Sequence, residues 1–172
     1  FALVRPRSTA PTAEHWRSTA MIGGLLLLGG NGGVCWAEQR VPSGVTALLV
    51  GAMPLWITLI SWLKPGGLRP APRVFAAIFL GLVGVGFMVG PEEFAGGHRV
   101  DPWGTLALAI STLCWASGSV LSGSVRLPNA PLLATAMEML WGGLFLSLLG
   151  VALGEPGHVA WSAISARSLV AL

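Results

Sequence analysis

Five apolar stretches, each close to the length that crosses a bilayer, run between Ala20 and Leu153 of this 172-residue chain. A hydrocarbon core of about 30 Å takes roughly 20 apolar residues in a helix. The spans fall at 19–37, 44–63, 72–90, 102–123 and 130–153. A further apolar run begins near Ser168 and reaches only Leu172, while the chain opens on Phe1. This pattern reads as a fragment of a longer polytopic membrane protein.

The spans are expected to be helical. Segments such as Gly24-Leu25-Leu26-Leu27-Leu28 are apolar all round, and the strict alternation over about ten residues that marks a membrane β-barrel is missing. With 53% hydrophobic and 10% charged residues, the chain has too little charge to cover a soluble domain. No signal-peptide cleavage site follows the first span, so it stays in the membrane.

The net charge of +3 goes with no basic stripe and no nucleic-acid-binding motif. The cations instead sort by side. Arg5, Arg7, Arg17, Lys64, Arg69, Arg73 and Arg126 fall on one side of the spans, and Arg40, Arg99 and Arg167 on the other. The richer side is expected to be cytoplasmic. Glu38, Glu92, Glu93, Asp101 and Glu155 lie opposite it. Cys35 and Cys114 both fall inside spans, with neither a disulfide framework nor metal-ligand spacing.

Several residues stand out within this frame. Trp16, Trp62, Trp103 and Trp161 sit at span ends, as interfacial anchors do, whereas Trp36, Trp56, Trp115 and Trp141 lie deeper and need partners for their indole N–H groups. Gly81, Gly84, Gly86 and Gly90 are expected to let the third span pack closely on a neighbour. Glycine pairs flank Asn31 in the first span and permit both close packing and bending. Pro54 falls near the middle of the second span, where it frees backbone polar groups. Ser111, Trp115, Gly118, Ser119 and Ser122 share one face of the fourth span, a face for another helix or for a cavity. Glu138 is an ionisable residue well inside the fifth span, at an expected depth matching that of Trp115.

The segment Gly29-Gly30-Asn31-Gly32-Gly33-Val34-Cys35-Trp36-Ala37-Glu38-Gln39-Arg40-Val41-Pro42-Ser43-Gly44, followed by Met53-Pro54-Leu55-Trp56, Gly81-Leu82-Val83-Gly84-Val85 and Leu113-Cys114-Trp115-Ala116-Ser117-Gly118-Ser119-Val120, resembles the EamA-type branch of the drug/metabolite transporter superfamily. The resemblance implies an all-α, ten-helix inverted-repeat transporter of which this chain holds the third to seventh helices. Residues 1–101 would then close the first half, with spans 19–37, 44–63 and 72–90. Residues 102–172 would open the second, with spans 102–123 and 130–153 and a truncated span from about 168.

The family exports or exchanges small metabolites and drugs as a multi-pass inner-membrane secondary carrier, with no cofactor, no metal and no enzymatic step. Carried over residue by residue, the resemblance implies substrate-binding roles for Asn31, Trp36, Glu38, Pro54 and Trp115. Glu138 stands where the family often has an amide; neutral packing and proton coupling are its two readings. The implied partners are a small-molecule solute, the lipid bilayer and the absent helices of the full-length chain, with a homodimer left open and no nucleic acid.

Two other classes stay open on sequence grounds. An intramembrane serine protease is invited by Ser117-Gly118-Ser119, although His15, His98 and His158 all fall in expected loops, far from a nucleophile that would need a base. A channel or passive scaffold is the third. ATP-driven transport lacks its phosphate-cradling motif.

Overall fold

The computed structural model describes residues 10–89 and 101–158. Expectations that rest on Arg5, Arg7, Gly90, Glu92, Glu93, His98, Arg99, Trp161, Arg167 or the run from Ser168 lie outside these residues.

Among the described residues five long helical segments follow one another: α1 (Ala13–Ala37), α2 (Ser43–Leu63), α3 (Pro72–Val89), α4 (Pro102–Ser122) and α5 (Pro131–Ala152). All of α1, α2, α4 and α5 are long and apolar enough to cross a membrane; α3 has a shorter apolar stretch, Pro72–Phe87. The boundaries follow local chemistry. Asp101 Oδ2 accepts the Gly104 N–H at 3.0 Å and Pro102 occupies the first turn, which caps α4 and removes a donor that has no partner there. Pro131 likewise occupies the first turn of α5, here after Ala130 with no side-chain cap, and Gly154, at φ +77°, stands just beyond its end in the left-handed region that glycine enters without strain.

α1 starts six residues before the expected 19, because a polar prefix carries its own cap. Thr12 Oγ1 accepts the His15 N–H and His15 Nδ1 accepts the Thr12 N–H, both at 3.3 Å, so two donors of the first turn are satisfied reciprocally. Glu14 adds a negative charge at the positive end of the helix dipole. Hydropathy alone misses such a start.

α2 is broken where Pro54 predicts a disturbance. Ser43–Gly51 and Met53–Leu63 are separate α-helical pieces joined through Ala52, and Leu55 N–H turns back to the Ala52 carbonyl at 2.9 Å. Thr58 Oγ1 donates to the Pro54 carbonyl at 2.7 Å, a back-bond that favours bending.

The order in space is α5, α1, α4, α2, α3, with α1 and α4 at the centre. α4 runs antiparallel to α1: Gly118 meets Leu25 and Leu26, Gly29 meets Cys114, Gly33 meets Ser111, and Gly104 meets Val41. α5 runs the same way as α1, since Gly23 meets the backbone of Glu138 and Gly142 while Gly32 meets Leu146. A small apolar core of Ala37, Val41 and Leu108, with Val34, Val45, Leu49 and Ala107 around it, locks α1, α2 and α4 together at one end. Among the described residues α3 leans mainly on α2, with Gly51 against Leu82 and Val85.

The glycines of α3 do not pack as expected. Gly81, Gly84 and Gly86 have no described atom within 4 Å of where a Cβ would stand, and Phe79, Leu80 and Phe87 beside them are exposed. A small-residue spacing permits close approach but does not supply the partner helix.

Candidate functional site

The middle of α1 has an unusual backbone. Between the α-helical pieces Ala13–Gly23 and Gly33–Ala37, residues Gly24–Gly32 are π-helical. The wider turn is a rare conformation that recurs at functional sites. Glycine bears it because no Cβ crowds the loosened turn, and its absence lets neighbouring helices reach the backbone. Close packing, expected of this glycine-rich segment, is present, and its backbone departs from the α-helix as a π-helical stretch.

On the α4 side the fit is tight. A Cβ on Gly29 would stand 2.9 Å from Cys114 Sγ, and one on Gly30 would overlap the Trp115 indole. On Gly33 it would strike Ser111 Oγ. The shared face of α4 is thus a helix-packing face at Ser111, Trp115 and Gly118. Its hydroxyls turn back on their own helix: Ser111 Oγ donates to the Ala107 carbonyl at 2.8 Å and Ser122 Oγ to Ser119 at 2.7 Å. Ser111 and Thr112 are buried, and satisfying them internally removes the penalty of an unpaired hydroxyl in an apolar setting.

A different face of α1 is left open. Asn31, Cys35 and Glu38, spaced by four and three residues, are all exposed. Next to them Trp36 is 41% exposed and carries the Arg40 guanidinium 3.9 Å above its ring. That cation–π contact contributes about 0.5–1 kcal/mol at such a site. Arg40 Nη1 also donates to the Trp36 carbonyl at 3.4 Å, and Gln39 Nε2 to Cys35 at 3.5 Å. The Asn31 amide is a poor neighbour for lipid, and so is the carboxylate of Glu38, one residue past the end of α1.

Trp115 is half-buried against Gly30, one residue before Asn31. No hydrogen bond, ion pair or ring contact among the described residues joins Trp115 to Asn31, Trp36, Glu38, Pro54 or Glu138. Pro54 is exposed on α2. Glu138 is half-buried on α5, with its backbone carbonyl against Gly23. The expected common depth of Trp115 and Glu138 is not found: they meet α1 at Gly30 and Gly23, about 10 Å apart along the helix, and α1 stands between α4 and α5.

The tryptophans divide more finely than ends against middles. Trp103 is 70% exposed at the start of α4, as an anchor is. Trp16 instead packs edge-on to Trp141 at 6.2 Å, and Trp141 stacks on Phe145 at 5.5 Å. The Trp141 Nε1 is buried without a hydrogen-bond partner among the described residues. His15 serves as the α1 cap partner.

Two residues carry more than their sequence reading. Cys114, placed inside a span by the sequence, is the α4 side chain that meets Gly29. Arg40, counted as an orientation charge, clamps Trp36; its i, i+4 spacing was the available signal.

Two relatives, from Escherichia coli strain K12 and Escherichia coli O157:H7, are each named an uncharacterized inner membrane transporter YedA. Each is 35% identical to this chain over 156 residues, which are 90% of this chain and 48% of the relative. The chain spans about half the length of the curated relatives it matches. No family model matches it, and no solved structure does. Four spanning-length apolar helices and these relatives make it an all-α, multi-pass inner-membrane protein related to membrane transporters.

Proposed function

We propose that the full-length protein is an EamA-type secondary carrier that exports a small polar or amphipathic organic solute by alternating access, with no enzymatic step. The observation that carries this reading is the open polar strip Asn31, Cys35 and Glu38 on α1, beside a glycine-lined π-helical segment. In a bilayer such a strip must face protein or a hydrated cavity, and transporters place irregular helix at such cavities. The likeness to transporters named YedA and the resemblance quoted above support it further. In this reading residues 1–101 and 102–172 belong to two successive halves, and the Lys64 side is cytoplasmic.

Asn31 hydrogen-bonds the solute, Trp36 and Trp115 offer aromatic faces, Glu38 attracts a cationic group, and the break at Pro54 acts as a hinge. Glu138 packs as a neutral side chain, so Glu138→Gln retains most transport.

The test is solute counterflow in vesicles reconstituted with the full-length protein, using amino acids and drug-like cations. Trp115→Ala should raise the half-saturation concentration several-fold, from about 1 kcal/mol of lost aromatic contact, while Trp103→Ala changes it little. Absence of saturable counterflow across the panel, together with cleavage of a membrane peptide, would defeat the transporter reading. A larger effect from Trp103→Ala would defeat the site assignment alone.

A further inference from the structure

A hollow of about 440 Å³ lies between the ends of α2 and α4, lined by Ile60, Leu63, Lys64, Ser117, Val120, Leu121 and Ser124. It is shallow and open to the surroundings. Its walls are the apolar Ile60, Leu63, Val120 and Leu121, and Lys64 stands at its end. Lys64 Nζ donates to Ser124 Oγ at 2.5 Å, and Ser124 Oγ donates in turn to the Val120 carbonyl at 2.9 Å. One of the three ammonium donors is thereby used and the head is fixed in place. No carboxylate neutralises it among the described residues; the ion pair found there joins Arg126 to Glu14.

We propose that this hollow binds an anionic phospholipid, with the phosphate on Lys64 and an acyl chain along Ile60, Leu63, Val120 and Leu121. Charge complementarity selects the occupant: an ammonium without an acidic partner, at the end of two spanning helices, stands where the headgroups begin. Basic pockets between such helices on the cytoplasmic side hold anionic lipid headgroups, and Lys64 belongs to the cation-rich side. The apolar wall sets a lipid apart from a small hydrophilic anion, and the lateral opening sets it apart from an enclosed solute. This inference does not depend on transport.

The experiment uses delipidated full-length protein titrated with phosphatidylglycerol or phosphatidylcholine, followed by native mass spectrometry and thermal unfolding. Phosphatidylglycerol should bind and raise the unfolding midpoint more than phosphatidylcholine does. Lys64→Gln should weaken it about fivefold, Lys64→Arg should retain it, and Arg73→Gln, which does not line the hollow, should leave it unchanged. Leu121→Trp, which fills the hollow and keeps the charge, should weaken it as well and stands in if Lys64→Gln fails to fold. Equal binding of the two lipids, or equal losses from Lys64→Gln and Arg73→Gln, would overturn the proposal. So would competition by soluble glycerol phosphate as strong as that by lipid, or a hollow closed to lipid by other segments of the full-length chain.

Discussion

Two glycine-rich helices in one chain behave in opposite ways. In α1 the glycines are contact points: Gly29, Gly30 and Gly33 receive Cys114, Trp115 and Ser111 of α4, and Gly23 and Gly32 receive α5. In α3 Gly81, Gly84 and Gly86 meet no other described residue. The two helices read alike as small-residue patches, and the difference lies in position: α1 is sandwiched between two helices, whereas among the described residues α3 packs mainly on α2. A small residue lets a neighbour approach, but topology decides whether a neighbour is there.

The largest expected effects follow from that contrast. Gly33→Leu drives a branched side chain into Ser111 and should destabilise the full-length protein by at least about 1–3 kcal/mol, read as a lowered unfolding midpoint in detergent. Gly84→Leu should stay within about 0.5 kcal/mol of the parent. Equal losses would break the comparison by showing that the bare face of α3 is covered in the full-length protein. A gentler pair sharpens it: Gly29→Ala should destabilise, because its Cβ would stand 3.0 Å from Cys114 Cβ, while Gly84→Ala should be neutral or stabilising.

If α1 is held by its packed middle, its end should matter less. Thr12→Ala removes the hydroxyl half of the cap and should cost about 1 kcal/mol in the same assay, well short of Gly33→Leu. Smaller still is Arg126→Gln, which breaks the ion pair to Glu14 and leaves the Glu14 charge on the helix dipole; the two side chains are 80% and 58% exposed. Solvent screening limits that pair to a few tenths of a kcal/mol at most, and the difference should vanish at high salt.

Much of the fold was legible because lipid imposes length and continuity on a span. The spans expected at 44–63, 72–90, 102–123 and 130–153 lie within one residue of the observed helices. Where the chain leaves the apolar regime, legibility fell. The polar prefix of α1 is helical through its cap, a signal spread over Thr12, Glu14 and His15 that hydropathy averages away. Site geometry was less readable still. Periodicity placed Ser111, Trp115 and Gly118 on one face but could not name α1 as the occupant, nor put Glu138 and Trp115 on different levels of it. Those facts depend on which helix inserts between two others, and no local pattern encodes that.

The central claim is the register of α1 on α4, and the native Cys114 offers a direct test. Gly29→Cys, combined with Cys35→Ser and a protease site in the loop at Gly67, would place a thiol where a Cβ lies 3.0 Å from that of Cys114, close enough to form a disulfide after a shift of about half an ångström. Mild oxidation followed by cleavage should leave the two pieces joined on a non-reducing gel, and reduction or Cys114→Ala should separate them. Pieces that separate despite oxidation, or that join as readily when the new cysteine is moved to Gly51, which faces Leu82 and Val85 of α3, would contradict the account.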